Sequence, residues 1–519
     1  MNTSGSGRSF RASFLAMLGI CLVVILIALD TSVVGTAMPR IVAELRGYSL
    51  YQWTASAYLM VSTVMIPITG RLGDLYGRKP FVLAAVIVFT LASAACSLAQ
   101  SMLQLVIARG LQGLGGGMLI GVAFACVPDL FPERLQRVRW QVMLSSAFGI
   151  AMAVGPSLGG WLTEHAGWRS VFYINLPVAA LALVMIWAFL PRIVHHEGED
   201  RSIDLLGAIL LIITIVGLQL VTEQGQAHGS SIYLGAALWV AVIACGVGFV
   251  RHQYHTKAPI IPPDVLDNSG ARKLMALGVM TGLTMFMLIF YVPLLLQGGF
   301  GQSPKEAGFV MTPLLVCVTL GSIINGRILP HLQRAERVIA WGQIGLCVCC
   351  LLLTQLSADW SLTACMLLFG VCGVSLGFQL PNLTLQMMGA VGRKNLGVGS
   401  ALIQSTRMVG SMIGVGIASV MVNLLYEMRI GEALAAHHVT DPTLVGLLGS
   451  PQVLIRAADR AALVTQAQHL GVDVAPLLEA ARQGLNYGIH MAFLLCALIA
   501  GLSILISLRL PRYEITKNR

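Results

Sequence analysis

Apolar segments of about twenty residues recur along the whole chain, and mostly short polar stretches separate them. A helix needs about twenty apolar residues to cross the hydrocarbon layer of a bilayer, so each segment predicts one membrane-spanning helix. The pattern predicts fourteen, which we number spans 1 to 14, with approximate bounds at 14–36, 51–70, 81–99, 103–126, 139–162, 170–190, 204–222, 232–250, 273–296, 307–327, 338–357, 361–384, 400–425 and 488–508.

The composition agrees with this pattern and excludes the other broad classes of protein. Hydrophobic residues make up 56% of the chain and charged residues 11%, whereas ordinary globular chains carry roughly 25% charged residues. A soluble fold of this size could not cover its surface with so few charges, and a disordered chain would be far less apolar. The 11 cysteines lie in apolar runs, so we expect buried thiols without disulfides or bound metal. The predicted class is an all-α polytopic membrane protein.

The net charge of +10 follows from the predicted topology. If the N-terminus is cytoplasmic, twenty-three of the 33 lysines and arginines lie in cytoplasmic segments and four lie in the short loops on the other side. Positive residues accumulate on the cytoplasmic side of membrane proteins, so both termini are predicted to be cytoplasmic. The positive charge therefore calls for no nucleic-acid partner, and the lipid bilayer is the expected surroundings of the chain.

Short motifs repeat at an offset of eight spans. Gly70-Arg71-Leu72 after span 2 is echoed by Gly326-Arg327-Ile328 after span 10, and the glycine-rich spans 4 and 5 are echoed by spans 12 and 13. Two related six-helix halves around a central site are a transporter architecture. We therefore predict an N-terminal six-helix half at 1–192, a two-helix insert with a cytoplasmic connector at 193–271, and a C-terminal six-helix half at 272–519. The last part includes an extracytoplasmic loop at 426–487 that is expected to hold short amphipathic helices.

Asp30 is the strongest single candidate for a functional group. A carboxylate within a membrane span is energetically costly and marks a functional site by default. The rise per residue of a helix puts Asp30 in span 1 and Arg109 in span 4 at comparable depth, so the two side chains could form a pair. The functional hypothesis is that protonation of Asp30 is coupled to substrate movement, and the alternative is a static ion pair.

Two glycine-containing motifs are further candidates. Gly73 and Gly77 permit a tight reversal between spans 2 and 3, and Asp74 can accept hydrogen bonds from nearby helix N-termini or arginines. The alternative for this segment is a charged hairpin that only fixes topology. In span 5, small residues and one proline predict close helix packing and a bend, at Gly149, Gly155, Pro156, Gly159 and Gly160.

The stretch from Gly70 to Pro80 resembles the signature loop of the major facilitator superfamily. The resemblance implies a conformational latch for the outward-open state, centred on Asp74 and formed with Gly70, Gly77, Arg78 and Lys79. The segment that begins at Arg109 resembles the span-4 motif of that superfamily, which implies that Arg109 takes part in proton transfer. The span-5 motif resembles the antiporter motif, which marks exporters within the superfamily.

With the stretches at 52–59 and 168–177 and fourteen spans, the whole chain is similar to the 14-span drug:proton antiporters of the EmrB/QacA type. The resemblance implies a secondary active transporter of the bacterial cytoplasmic (inner) membrane that exports small lipophilic or amphipathic compounds, drugs and toxins included, in exchange for protons. Antibiotic resistance and alternating access are part of that expectation. No enzyme activity, catalytic residue, metal or cofactor beyond the proton gradient is expected. ATP-driven pumping is disfavoured because the chain has no nucleotide-binding loop of the G-x-x-x-x-G-K-[ST] type.

Polar and aromatic side chains on the cavity-facing spans are candidates for the substrate cavity, each with packing as its alternative: Tyr58, Gln112, Phe286, Tyr291, Gln379, Asn382 and Gln386. Spans 9–12 carry no acidic residue in mid-membrane. Members of the family that the chain resembles often use a further buried carboxylate to export dications, so the resemblance implies monocationic, neutral or weakly acidic substrates. Arg407 is expected one or two turns inside span 13, where its side chain can reach the cytoplasmic surface, and is interpreted as structural or gate-forming.

Several alternatives stay open. The protein could be a proton-coupled exporter of one specific metabolite, which the sequence does not distinguish from a drug exporter. A membrane enzyme is more remote, because the only dense His/acid run, His195-His196-Glu197, lacks the H-E-x-x-H spacing. A non-transporting membrane sensor is also more remote, because Asp30, Arg109 and the glycine-rich motifs are all present. Action alone and action with a periplasmic adaptor and an outer-membrane channel are both compatible with the sequence.

Overall fold

The structure is built from helices. This computed structural model describes residues 10–45, 50, 53–131, 133–192, 204–224, 232–332, 334, 336–437, 439, 441–449, 451–454 and 457–511. No strand occurs within these ranges, as the all-α prediction requires. Gln52 and the His195-His196-Glu197 run, which the sequence singles out, lie outside the described residues.

The first part of the chain, which we call the first half, covers predicted spans 1 to 6. Its helices are α1 (Phe10–Leu45), α2 (Trp53–Tyr76), α3 (Arg78–Ser97), α4 (Met102–Ala123), α5 (Cys126–Leu130), α6 (Arg134–His165), α7 (Ser170–Tyr173) and α8 (Asn175–Phe189). Span 5 corresponds to α6, and span 6 is divided between α7 and α8. The two insert helices that follow are α9 (Leu205–Gln224) and α10 (Ile232–Gln253).

The remaining helices form the second half and cover predicted spans 9 to 14. They are α11 (Pro263–Asp267), α12 (Ser269–Leu294), α13 (Pro304–Ile328), α14 (Arg337–Leu353), α15 (Leu362–Val391), α16 (Leu396–Ala436), α17 (Pro442–Leu448), α18 (Ala457–Leu470) and α19 (Ala475–Leu508). A single π-helical turn, Leu295–Gly299, continues α12. Spans 12, 13 and 14 correspond to α15, α16 and α19.

Twelve of the described helices are long and apolar enough to cross a membrane, which makes this a multi-pass membrane protein. Two further apolar helices, Leu205–Val221 and Arg337–Leu353, are shorter. By this criterion the structure supports twelve spans directly, and the predicted count of fourteen depends on these two shorter helices.

The same pairs of helices pack in both halves. In the first half α1 packs on α6 and α8, α2 packs on α4, and α3 packs on α4 and α8. In the second half the corresponding pairs are α12 with α16 and α19, α13 with α15, and α14 with α15 and α19. The helices that pack alike are separated by eight spans, which is the offset of the sequence repeat.

The two halves meet along two seams, α2 against α16 and α6 against α13. We call the end of the bundle where α2 meets α3 and α15 meets α16 the latch end, and the opposite end the far end. At the latch end, Val138 and Val142 of α6 share a hydrophobic cluster with Leu329 and Leu385 of the second half. At the far end the buried clusters stay within one half, one drawn from residues 33–172 and the other from 283–497. The described contacts therefore close the bundle at the latch end.

The insert helices cover one seam. α9 packs on α10 and contacts both α2 and α16, and buried side chains of all four helices share a cluster that includes Val64, Leu218, Val242 and Met412. At the latch end of this pair, the buried carboxylate of Asp204 accepts hydrogen bonds that tie α9 to α10. The insert therefore lies against the α2–α16 seam instead of forming a separate unit.

The segment predicted as a loop at 426–487 is largely helical. α16 continues to Ala436 and α19 begins at Ala475, so both helices extend well past the ends of spans 13 and 14. The buried Tyr426 donates a hydrogen bond to the carbonyl of Leu448 at 2.9 Å, and α17 and α18 contribute to the hydrophobic cluster of the second half. The short helices expected in this segment are α17 and α18, whereas the extension of α16 and α19 into it is not predicted by the hydropathy pattern.

Candidate functional site

Asp30 lies in a buried polar cluster of the first half and is only 1% exposed. Its Oδ2 accepts a hydrogen bond from Arg109 Nη1 at 2.6 Å. Its Oδ1 accepts from Gln112 Nε2 at 2.7 Å and from Asn175 Nδ2 at 3.0 Å. The cluster thus brings α1, α4 and α8 together around one carboxylate.

Arg109 is held from several sides at once. Its Nη1 also donates to Gln112 Oε1 at 2.6 Å, and its Nε donates to the carbonyl of Thr54 at 3.3 Å. The Tyr58 ring lies under the guanidinium, with Cζ 4.5 Å from the ring centroid, a favourable cation–π contact. Arg109 is 3% exposed, so both members of the ion pair are removed from solvent.

The cluster extends to α3 through Ser93. Its hydroxyl oxygen accepts from Gln112 Nε2 at 2.7 Å and from Asn175 Nδ2 at 3.2 Å. The sequence interpretation did not include Ser93, and it mentioned the segment containing Asn175 only as part of a resemblance. Their signal in the sequence is a polar side chain inside an apolar run, which is common and therefore weak.

This arrangement suits the ionised form of Asp30. A carboxylate is an acceptor only, and here three donors point at its two oxygens. A protonated Asp30 would have to donate one hydrogen bond, yet Gln112 Oε1 already accepts from both Arg109 Nη1 and Cys96 Sγ. Protonation of Asp30 would therefore weaken its ion pair with Arg109 and leave the buried guanidinium without one of its hydrogen-bond acceptors.

Asp74 joins the two halves at the latch end. Its Oδ1 and Oδ2 accept hydrogen bonds from the backbone N–H groups of Gly397 and Val398, both at 3.0 Å. These amides lie in the first turn of α16, where helical N–H groups have no partner within the helix and where the helix dipole favours a negative charge. Asp74 is 0% exposed, so a carboxylate of the first half caps a helix of the second half.

The residues around Asp74 hold it in place. Arg78 Nη2 donates to Asp74 Oδ1 at 2.9 Å, and the other end of the guanidinium pairs with Asp129 and the carbonyl of Ala125. Lys79 Nζ donates to the carbonyl of Trp187 at 2.7 Å. α2 continues to Tyr76, so Gly73 is helical, and the reversal predicted for two glycines is made by Gly77 alone, whose φ is 89°. A positive φ of this kind favours glycine.

Among the described residues, the equivalent seam on the other side shows no charged cap. Gly70 of α2 lies against Ala401 and Gly397 of α16, and its counterpart Gly326 of α13 lies against Val142 of α6. Four residues after Gly70 comes Asp74, whereas four residues after Gly326 comes Pro330. The pseudo-symmetric bundle therefore has a latch of buried charge at one seam and apolar packing at the other.

The span-5 motif in α6 divides between two surfaces. Gly155 and Gly159 are buried against α1, where a Cβ on either glycine would collide with Ser32 or Thr36. Gly149 faces Thr319 of α13 across the seam between the halves. Pro156 and Gly160 are exposed on a neighbouring face of the helix. The motif is thus placed where α6 touches both its own half and the other half.

A central cavity of about 60 Å³ lies between the halves. Its wall from the first half is formed by Val24, Ile27, Ile120, Ala123, Phe124, Ser145, Phe148, Gly149 and Met152, and its wall from the second half by Met285, Ile289, Leu315, Val318, Leu380, Thr384, Gln404, Arg407 and Met408. Ile27 lies about one helical turn from Asp30, so the cavity and the carboxylate cluster are neighbours. Pockets for drug-sized ligands enclose about 300–1,000 Å³, so the halves must separate before such a ligand fits.

None of the seven predicted cavity residues lines this cavity. Tyr58 and Gln112 belong to the Asp30 cluster. Gln379 Oε1 accepts from Thr281 Oγ1 at 3.0 Å and Gln343 Nε2 at 2.9 Å inside the second half.

The other four residues also pack among helices of the second half. Asn382 donates to Asn325 Oδ1 at 2.9 Å, and Tyr291 donates to the Val415 carbonyl at 3.3 Å. Phe286 stacks on Phe290, and Gln386 is buried. Substrate contact by any of the seven stays a prediction.

The structure places Arg407 in the cavity wall, unlike the position expected from the sequence. α16 begins at Leu396, so Arg407 lies eleven residues along the helix, or roughly 16 Å from its start. This depth exceeds one or two turns, and the side chain lines the central cavity instead of extending to the surface.

The cysteines lie in helices of both halves and of the insert. The eleven cysteines are unpaired and lie in buried or half-buried positions. Within the described ranges, no group of three or more histidine, cysteine or acidic side chains could hold a metal ion.

Comparisons with known proteins agree with the sequence resemblance. Residues 20–415 match the sequence model of the Major Facilitator Superfamily. The Multidrug transporter protein MdtP of Bacillus subtilis is 33% identical over 426 residues, which are 82% of this chain and 77% of that protein. The Multidrug resistance protein Stp of Mycobacterium tuberculosis is 30% identical over 415 residues, 78% of this chain and 75% of that protein.

Solved structures of other transporters share the fold. The human organic anion transporter MFSD10 (TETRAN) matches with a TM-score of 0.61 at 15% identity, covering 94% of this chain and 99% of that one. A bacterial homologue of the human lysosomal transporter Spinster, in an inward-facing and unoccupied conformation, matches with a TM-score of 0.53 at 16% identity, covering 98% and 100%.

Proposed function

The chain belongs to the Major Facilitator Superfamily, and from this premise we propose that it exports small amphipathic compounds in exchange for protons by alternating access. Its relatives are transporters rather than enzymes, and several are multidrug transporters. A small-molecule substrate follows from that kinship. The proton, the direction of transport and the mechanism are the parts we propose here.

The observation that carries the proposal is the buried carboxylate of Asp30 with its three donors. Protonation removes the charge that Arg109 pairs with, and a buried charge that loses its partner costs about 3–5 kcal/mol. The guanidinium can lower that cost only by moving toward other acceptors, such as the carbonyl of Thr54. Because the cluster ties α1, α3, α4 and α8 together, such a movement changes the packing within the first half.

The latch gives the cycle its two states. We propose that the latch end faces the cytoplasm and that the structure represents the outward-facing state, because the contacts between the halves lie at the latch end. In this state Asp74 caps α16. When the halves separate at that end, the hydrogen bonds from the N–H groups of Gly397 and Val398 to Asp74 are broken. A proton on Asp30 and a substrate in the cavity would each shift the balance between these states.

The topology we propose has fourteen spans, with both termini cytoplasmic. α14 packs between α15 and α19 as α3 packs between α4 and α8, and α3 is long enough to span. α9 packs along its length against α2, α10 and α16. We therefore count α9 and α14 as spans and keep 1–192, 193–271 and 272–519 as the three parts of the chain.

The relatives and the cavity support an exporter of apolar compounds. Fourteen of the eighteen residues that line the cavity are apolar or glycine, which suits a lipophilic body. The names of several bacterial relatives refer to multidrug transport or resistance. We propose the cytoplasmic membrane of a bacterium as its location and resistance to toxic compounds as its role. Protons are then the only co-substrate, and no resident cofactor is needed.

The test uses inverted membrane vesicles with a pH dye inside and an acid interior. Wild type is expected to release protons when a transported compound is added, and Asp30→Asn is expected to release none. Asp359→Asn is the matched control, because it makes the same chemical change at an exposed residue outside the cluster. Equal proton release by wild type and Asp30→Asn would assign Asp30 to a static role and remove the proposed coupling.

A further inference from the structure

The central cavity carries one unbalanced charge. Arg407 is the only charged side chain among the described residues that line it, and three polar side chains, Ser145, Thr384 and Gln404, accompany it. The buried carboxylate of Asp30, which neighbours the cavity, is already paired with Arg109. The cavity therefore presents a net positive charge to whatever enters it.

Arg407 has no hydrogen-bond or ion-pair partner within the part of the chain that the structure describes. The two buried arginines of the first half each have a partner: Arg109 pairs with Asp30, and Arg78 pairs with Asp74 and Asp129. A charged side chain inside a membrane span is costly and is normally paired. No acidic residue of α12, α14, α15 or the adjoining part of α16 lies at this depth to serve as its partner.

The two walls of the cavity differ in character. The wall from the first half consists of aliphatic and aromatic side chains with a single serine, whereas Arg407, Gln404 and Thr384 all lie on the wall from the second half. The side-chain amide oxygen of Gln404, Oε1, is buried and has no hydrogen-bond partner among the described residues. A ligand would thus meet an apolar surface on one side and a cation with hydrogen-bonding neighbours on the other.

We propose that Arg407 is the recognition site for an anionic group of the substrate, so that the preferred cargo is an amphipathic monoanion such as a lipophilic carboxylate. This proposal rests on the proposed transport function and names its substrate class. The planar guanidinium can bind a carboxylate through two parallel hydrogen bonds. The apolar body of the compound would then pack against the wall of the first half.

The preferred charge of the ligand follows from the positive charge of the cavity lining. A monoanion neutralises Arg407, whereas a cation would place a second positive charge in a region of low dielectric constant. Among the substrates that the sequence left open, monocationic, neutral or weakly acidic, the geometry selects the acidic class. Because the two walls belong to different halves, a ligand that touches both also couples its binding to the separation of the halves.

A gate-forming Arg407 is the alternative, and it makes a different prediction. A gate residue acts on the conformational change and affects every substrate alike. A recognition residue affects compounds according to their charge. Matched probes that differ only in charge separate the two.

The probes are naphthaleneacetic acid, which is ionised at neutral pH, and naphthaleneacetamide, which has the same shape without the charge. Binding to purified protein in detergent is measured by ligand fluorescence, without a proton gradient. Wild type is expected to bind the acid about 10- to 100-fold more tightly than the amide, the range of one strong charge-assisted hydrogen-bonded pair. Arg407→Gln is expected to lose this preference, and Arg407→Lys is expected to keep part of it.

Arg251→Gln is the matched control, because it removes the same charge from an exposed position at the end of α10. A wild type that binds the acid no more tightly than the amide overturns the proposal, and so does an Arg407→Gln protein that keeps the wild-type preference. Since the assay needs no gradient, a protein that prefers the acid but shows no proton-driven transport would retain Arg407 as an anion site and remove the proposed function. A protein that shows proton-coupled transport but no preference for the acid would retain the proposed function and remove Arg407 as an anion site.

Discussion

The replacement Asp74→Asn tests the latch most specifically. Asp74 accepts hydrogen bonds from the amides of Gly397 and Val398 and from Arg78. Asparagine keeps one acceptor oxygen, loses the charge that favours the N-terminus of α16, and turns an NH₂ group toward an N–H donor. Loss of one charge-assisted hydrogen bond and of the interaction with the helix dipole adds up to about 2–4 kcal/mol.

The assay is hydrogen–deuterium exchange of the segment that begins α16. Gly397 and Val398 lie in the first helical turn, so their amides have no acceptor within the helix and depend on Asp74. A loss of 2–4 kcal/mol corresponds to about 30- to 1,000-fold faster exchange at these two amides. Amides in the middle of α16 are expected to keep their protection, because their helical hydrogen bonds do not involve Asp74.

Glu133→Gln is the control for this experiment. It removes one negative charge near the same end of the bundle, and the Glu133 side chain makes no capping hydrogen bond to α6. Exchange at Gly397 and Val398 should match wild type in this variant. If Asp74→Asn also exchanges like wild type while remaining folded, the carboxylate does not hold the two halves together and the latch interpretation is refuted.

Three further predictions address other contacts. Arg109→Lys keeps the charge but has only one donor nitrogen, which cannot bridge the carboxylate of Asp30 and its neighbours. We therefore expect normal expression, with proton-coupled transport reduced at least about tenfold in the vesicle assay. Transport at the wild-type level would contradict the pairing of Arg109 with Asp30. Gly155→Leu is expected to push α6 away from α1 and to lower the melting temperature in detergent, with an unchanged melting temperature as the contrary result. The hydrogen bond from Arg169 lowers the pKa of Glu44 below its ordinary value of 4.5, so the stability that this contact contributes is present above pH 4.5 and is lost as the pH falls through the lowered pKa. Glu44→Gln should therefore reduce the stability of the protein at pH 7 and match wild type at low pH. An equal loss of stability at pH 7 and at low pH would contradict this.

The sequence predicts depth in the membrane better than it predicts direction. The rise per residue puts Asp30 and Arg109 at similar depth, and the structure brings their side chains together. Depth follows from counting along one helix, whereas the direction of a side chain depends on how that helix packs. For this reason the residues predicted for the cavity, such as Gln379 and Asn382, have suitable depth but point into contacts within the second half.

The same reasoning explains what the sequence missed. Arg407 was assigned to the surface because the apolar pattern places the start of span 13 at residue 400, whereas α16 begins at Leu396 and contains polar residues in its first turns. The segment at 426–487 is too polar to span, and the short helices expected there do form; the hydropathy pattern does not predict that α16 and α19 extend so far into it. A hydropathy pattern predicts helices that contact lipid, but it does not predict helices that pack on other parts of the protein.

The central claim is that Asp30 exchanges its proton as substrate moves, and infrared difference spectroscopy of the purified protein measures this directly. Addition of a transported compound should change the carboxylic C=O band in wild type, and this change should be absent in Asp30→Asn and retained in Asp359→Asn. A band change of wild-type size in Asp30→Asn, or none in wild type, would contradict the claim.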